Sequence, residues 1–310
     1  MHHDAGFEKK VTKDYSKYRK HGVSVDMLDT TVFHLFIRYS NFRILNIWPE
    51  FFKSIPKDFL TEDNFRKVVH SFSGVLIAMK EVYLNSNSFS MYSDLVFETV
   101  NDNFSPDGTP LISLFIYFTD PNDASNLVQH IQDFLKTQNL DYTVDVSKDH
   151  QHSILLAQHL LFSESRLFMN VTPPNQHLHC KQLSEKVLAG LGKSREFHDD
   201  YYMMGVESTM DLYGIKPVKG SHGIIFNTKV NGNNLNFDKS QFVDEGDYTK
   251  GFQLVGTNTE TLLFDPYYHG FCYGLKFVSL KHAAWVKKNS GKMNDVEKVW
   301  KFMIENKIMF

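Results

Sequence analysis

Gly205-Val206-Glu207-Ser208-Thr209-Met210-Asp211-Leu212-Tyr213-Gly214-Ile215-Lys216 is the stretch on which the fold turns. Small residues open it, an apolar turn of helix follows, and glycine plus a basic residue close it. Outward from there the chain runs through Pro217, Val218, Lys219, Gly220, Ser221 and His222 into Gly223-Ile224-Ile225-Phe226. Further on come Leu262-Leu263-Phe264-Asp265-Pro266 and then Gly274-Leu275-Lys276-Phe277-Val278-Ser279-Leu280. The tail is readable from spacing alone. Ser279 precedes Leu280, Ala283, Ala284 and Lys287 on neighbouring helical turns, where its hydroxyl can cap the first free amides. Asp295 is expected to cap a last helix in the same way. That helix puts Val296, Val299, Trp300, Met303 and Ile304 on one stripe, the spacing of a packed amphipathic face.

In this order the elements resemble the nucleotidyltransferase-fold superfamily, the minimal nucleotidyltransferase and polymerase-β-like group. Such proteins show a helix ending in Leu-Tyr-Gly-Ile-Arg, a strand with Asp-x-Asp, a line ending Gly-x-Lys-Phe-x-Ser-Leu, and a Lys-Asp pair opening a last helix. Here Leu212-Tyr213-Gly214-Ile215-Lys216, Gly274 to Leu280 and Asn294-Asp295 carry the likeness, which covers residues 200 to 307. The resemblance implies an α+β fold, a mixed sheet with flanking helices, preceded by a helical and α/β N-terminal half. The divisions expected are a polar tail over 1–22, an α/β region over 23–170 and the nucleotidyltransferase-like domain over 171–310.

Nucleotidyl transfer in this fold uses two carboxylates one residue apart to hold Mg²⁺ against the phosphates of a nucleoside triphosphate, with a third carboxylate from a neighbouring strand. The resemblance puts Gly220 and His222 where the pair belongs, and neither is a good ligand for a hard cation. Three readings follow: a degenerate protein of this fold that binds a nucleotide or a protein partner; an active Mg²⁺-dependent transferase using other carboxylates; or a viral or cellular assembly protein reusing the scaffold. For the enzyme, Asp238 on an expected strand Leu235–Asp238 is the metal ligand and catalytic residue, with Asp211 and Glu207 beside it; Asp244, Glu245 and Asp247 are near in sequence. Gly205, Ser208, Lys216, Lys276 and Lys288 are the nucleotide-binding candidates, and Lys287 is a further phosphate contact. Seven lysines against two acidic residues between Lys276 and Lys301 make this region locally basic.

The N-terminal half carries no such motif. From Val23 to Tyr83 apolar residues recur at three and four (Val32, Leu35, Phe36, Tyr39; Phe65, Val68, Val69, Phe72), which predicts mainly helix. Ser105-Pro106-Asp107-Gly108 predicts a turn. Leu111 to Phe118 is a buried strand. Asp120-Pro121 predicts a helix start running through Leu127, Ile131 and Leu135, and Tyr142 to Val146 alternates as the next strand. Leu167 to Val171 is read as a strand, and Pro173-Pro174 as the start of a helix through Leu183 and Val187.

Composition excludes several classes. The chain has 310 residues, 42% apolar and 22% charged, with a net charge of -3, so no global positive field exists to hold nucleic acid or an anionic membrane. Its 27 phenylalanines predict aromatic-filled cores. No apolar run has the length of a membrane span and no secretory signal is visible, which predicts a soluble, cytoplasmic protein. Cys180 and Cys272 stand 92 residues apart with no second cysteine near either, so no redox pair is expected and a reduced compartment is the default. His150-Gln151-His152 and His177-Leu178-His179-Cys180 invite a zinc site, but a second ligand pair at regular spacing is missing. The chain contains no Gly-x-Ser-x-Gly, Walker loop or Gly-x-Gly-x-x-Gly, which sets aside the P-loop and Rossmann classes.

Overall fold

The apolar run Leu111–Phe118 forms strand β3 (Pro110–Phe118), and every core-facing side chain on it is shielded from water. A computed structural model describes residues 32–33, 39–49, 61–85, 88, 91–92, 94–95, 110–137, 142–191, 202–226, 242–244, 262–263 and 265–308. The expected polar tail, the turn at Ser105–Gly108 and the strand Leu235–Asp238 lie outside the described residues. The chain divides into two compact units, Met1–Leu161 and Phe162–Phe310.

In the first unit β3 is joined by β1 (Phe42–Pro49), β2 (Gly74–Tyr83) and β4 (Tyr142–Val146), in the sheet order β2-β3-β1-β4 with every pair antiparallel. Helix α1 (Glu62–Ser71) connects β1 to β2, and α2 (Asp123–Thr137) connects β3 to β4. The expected β-α-β unit therefore closes in split form, with β1 inserted between β3 and β4, the ferredoxin-like arrangement. Both helices cover one face. Phe65 and Val69 of α1 and Leu127, Ile131 and Leu135 of α2 pack with Leu45, Ile47, Ile112, Leu114 and Ile116. Each such side chain contributes about 1.5–3 kcal/mol. The other face is covered too: Phe42, Ile44, Asn46 and Trp48 are all buried, and Ser153 of α3 (His150–Leu161) donates its hydroxyl to the Phe42 carbonyl at 3.0 Å.

Burial on both faces corrects the expectation of mainly helical structure over Val23–Tyr83, since β1 shows no polar alternation. It also brings polar groups inside. Asp145, 5% exposed, accepts from Asn46 Nδ2 at 2.9 Å and from the Trp48 indole, while Ser113 donates to Asn46 Oδ1 at 2.8 Å. Asp120 makes a turn, its side chain accepting from Asn122 N, and the helix itself starts at Asp123.

In the second unit, Leu167–Val171 is helical rather than extended, within α4 (Ser163–Val171). The helix expected at Pro173-Pro174 is present as α5 (Pro174–Leu191). A mixed sheet follows, in the order β7-β6-β5-β9-β8. Its strands are β5 (Tyr202–Met204), β6 (His222–Phe226), β7 (Phe242–Asp244), β8 (His269–Cys272) and β9 (Leu275–Val278). The β5/β6 and β8/β9 pairs are antiparallel, and β5/β9 and β6/β7 are parallel. Helices α6 (Val206–Leu212), α7 (Leu280–Asn289) and α8 (Met293–Glu305) complete the unit. Met203, Val206, Ile225, Val278, Ala283 and Val286 share one core.

Cys180 on α5 and Cys272 on β8 form a disulfide, with Cα atoms 6.4 Å apart. The sequence separation hid this pairing, which corrects the reading of two isolated thiols. Among the described residues no helix is long and apolar enough to cross a membrane.

Candidate functional site

The Gly205–Lys216 motif, with the strands on either side of it, folds as a strand-turn-helix-turn-strand. β5 ends at Met204, Gly205 is the N-cap of α6 in extended conformation, and its amide donates to the Gly223 carbonyl at 2.8 Å. The helix stops at Tyr213, and Gly214 turns the chain with φ +70. Ile215 N and Lys216 N then close on the Met210 carbonyl at 2.9 and 3.2 Å. This left-handed closure is why glycine follows Leu-Tyr here. A Cβ at Gly214 would also stand 3.0 Å from the Gln176 side chain. Gly214→Ala is expected to destabilise this unit by about 1–2 kcal/mol, read as a lower urea midpoint at unchanged slope.

The turn delivers Lys216 to a charged cluster. Its Nζ lies 2.9 Å from Asp295 and 3.7 Å from Glu207. Lys287, 1% exposed, reaches the Glu207 carboxylate directly and lies 3.4 Å from Asp295; Lys292 lies 3.7 Å from Glu207. Three lysines and two carboxylates from α6, the Gly214 turn, α7, the turn after it and α8 thus meet in one place. Burial pushes the Glu207 carboxyl up, but Lys287, Lys216 and Lys292 together hold it below the usual range. Asp295 is held low in the same way, by Lys216 and Lys287 against its burial. The hydrogen bond to Asp295 raises Lys216 above an ordinary lysine.

Asp211 belongs to a second group. Its Oδ2 accepts from His179 Nε2 at 2.8 Å and its Oδ1 from Val218 N at 3.3 Å. The His222 ring centroid is 6.4 Å from that of His179. Burial lowers the His222 imidazole below the ordinary histidine range, with Asp211 pulling the other way.

Set against the sequence expectations, Glu207 and Lys216 are brought together, and Asp211 sits one helical turn from Glu207 on α6. Ser208 is fully buried and its hydroxyl faces the Gly223 carbonyl at 3.3 Å. Lys276 lies inside the unit. It is 2% exposed, donates to the Leu263 carbonyl and lies over the Phe271 ring at 5.6 Å. Lys287 is likewise spent on carboxylates. Lys288 lines a groove between α7 and α8. Asp238 lies outside the described residues, as do Glu245 and Asp247. Gly220 and His222 are where the chain enters β6, and Gly220 takes φ +103. Asp295 is no cap: α8 starts at Met293, and its carboxylate turns to the lysines. Ser279 holds the N-cap position of α7, but its hydroxyl pairs with His282 Nδ1 at 2.6 Å. Glu164 caps Leu280 N instead, at 2.7 Å. Among the described residues no group of three or more histidine, cysteine or acidic side chains is placed to hold a metal ion. His177 and Cys180 do not join one, because Cys180 is in the disulfide and His177 packs against Phe168.

The chain matches no family model, no curated protein and no solved structure.

The residue that sequence reasoning missed is Asp295, as the partner of two lysines from other elements. A signal existed. Lys287 falls on the same helical stripe as Leu280, Ala283 and Ala284, and a charged side chain on an apolar stripe calls for a buried counter-charge.

Proposed function

We propose that the C-terminal unit is a nucleotidyltransferase-like scaffold that no longer performs metal-dependent transfer and serves as a binding module for a nucleotide or a protein partner. Support for the scaffold comes from the order of elements: a short strand, Gly205, a short helix ending in Leu-Tyr-Gly, an antiparallel strand, a parallel neighbour, and a β8–β9 hairpin leading to two helices. One observation carries the loss of catalysis. The two positions that the resemblance assigns to paired carboxylates hold Gly220 and His222, while the nearest described carboxylates are already engaged by lysines or by the His179 ring. Hard cations need uncommitted oxygens, and here each is already engaged.

The charge balance supports an anionic ligand. Three lysines against two carboxylates leave one positive charge in the cluster, and Lys292 is its most exposed member at 52%. Calorimetric titration with ATP, GTP, CTP and UTP, each with and without Mg²⁺, tests the reading. Any heat of binding is expected to be the same with and without the metal, and no nucleotidyl product forms. Saturable binding only with Mg²⁺, with turnover that Asp238→Ala abolishes, would establish the active transferase instead.

A further inference from the structure

The stripe expected on the last helix divides in the structure. Val296, Val299 and Met303 are buried, whereas Trp300 is 37% and Ile304 70% exposed. On α7 the same happens: Ala283 and Val286 face inward, and Trp285 is 45% exposed. The surplus apolar groups face each other across the helical hairpin. Ala284, Trp285, Trp300 and Ile304, with Lys281 and Lys288, line a groove of about 410 Å³. Holding the two helices together does not need these outer side chains, since the inner ones already do so. Exposed aromatic and aliphatic groups in one continuous patch mark an interaction surface.

The charge at this groove selects the occupant. Lys281 and Lys288 stand seven residues apart on α7, which is two turns or about 10.5 Å along its axis. Both line the groove, and no acidic residue is among the described residues that do so. Lys281 also lies over the Tyr267 ring at 5.7 Å, which extends the aromatic rim. An apolar floor between two helices accepts the apolar face of a third helix, with anchors spaced three and four apart. Two cations at two-turn spacing match acids at positions seven apart on that helix. A single strand of nucleic acid fits less well, because the described lining residues offer two cationic groups to a phosphate backbone. We infer that the Trp285–Trp300 groove is the docking site of an acidic amphipathic helix of a protein partner. This holds whether or not the neighbouring sheet is nucleotidyltransferase-like.

The test is selection of a displayed library of helical peptides about six turns long, varied on one face, against the full chain. Selected sequences are expected to carry an apolar stripe flanked by Asp or Glu seven residues apart. Of the three tryptophans Trp48 is fully buried, so a blue shift in emission on binding reports Trp285 and Trp300. Trp300→Ala is expected to weaken the best peptide about ten-fold or more. A Lys281→Glu, Lys288→Glu double variant should reverse the preference towards basic flanks. Circular dichroism of each variant confirms that the core beneath is intact. The inference is overturned if no helix is selected, if selected helices lack acidic flanks, or if neither variant changes binding. It is also overturned if an oligothymidylate or a second copy of the chain, followed by sedimentation, occupies the groove in a Trp300-dependent way.

Discussion

Replacing Lys287 by alanine is expected to cost the C-terminal unit about 3 kcal/mol, the lower end for breaking a buried ion pair. Lys287 is 1% exposed, and it touches both Glu207 and Asp295, which are 28% and 11% exposed. Removing it leaves two carboxylates with Lys216 and Lys292, both at the edge of the cluster. Lys287→Met separates charge from packing: the stem volume returns, and the carboxylates still lack their buried partner. The pH dependence has a definite sign. Glu207 and Asp295 titrate below their ordinary values of 4.5 and 3.8 when folded. Their contribution is present above those values and is lost as pH falls through the depressed ones. The gap between wild type and Lys287→Ala should therefore be full at pH 7 and shrink on acidification. Lys216, raised above 10.5, contributes below that value and loses its share as pH rises through the raised one. Urea unfolding followed by tryptophan emission checks this, and a gap that is constant between neutral and acid pH would contradict it.

Glu164→Ala is expected to be comparably damaging, at about 2–5 kcal/mol, because one buried carboxyl oxygen satisfies two donors. Glu164 Oε1 accepts from Tyr213 Oη at 2.7 Å and from Leu280 N at 2.7 Å. It thereby ties α4 to the end of α6 and the start of α7, the two turns that frame the charged cluster. Alanine leaves both donors buried without an acceptor, and Glu164→Gln retains an oxygen and costs less. Here the sign of the pH effect is opposite. Burial raises the Glu164 carboxyl, with the Leu280 amide and Tyr213 hydroxyl pulling it back only in part. A raised acid holds its proton in the folded state, so stability declines as pH climbs from 4.5 through the folded value. Wild type measured against Glu164→Gln should lose its relative advantage across that window. A flat difference would mean that the carboxyl is not buried as described.

Several parts of this fold are legible from the chain and others are hidden for physical reasons. Leu111–Phe118, Tyr142–Val146 and the helix after Pro173 stand out because their runs are bounded by turn residues and long enough to show a period. β1 is hidden: with Phe42, Ile44, Asn46 and Trp48 on one face and Leu45 and Ile47 on the other, both faces are covered. Apolar residues then recur at three and four by accident and imitate a helix. Leu167–Val171 fails the other way, as a short apolar run too brief to distinguish strand from helix. At the site, the glycine turn and the nearness of Glu207 to Lys216 follow from local spacing. The Lys287–Glu207 contact, the His179–Asp211 pair and the Cys180–Cys272 bond join elements distant in sequence, so no motif announces them. The lysine-rich tail illustrates the same limit. Seven basic residues look alike in sequence, yet Lys276 and Lys287 are buried and bonded, and Lys288 lies at an apolar groove.

The central claim is that the residues around the Gly205–Lys216 motif form a scaffold without a working divalent-metal site. Titration with Mn²⁺, which stands in for Mg²⁺ and reports its own binding by loss of its free electron-resonance signal, addresses this directly. The account predicts no saturable binding to the full chain at micromolar metal, and the same trace for Asp238→Ala. Stoichiometric uptake of one ion per chain, abolished by Asp238→Ala, would contradict it.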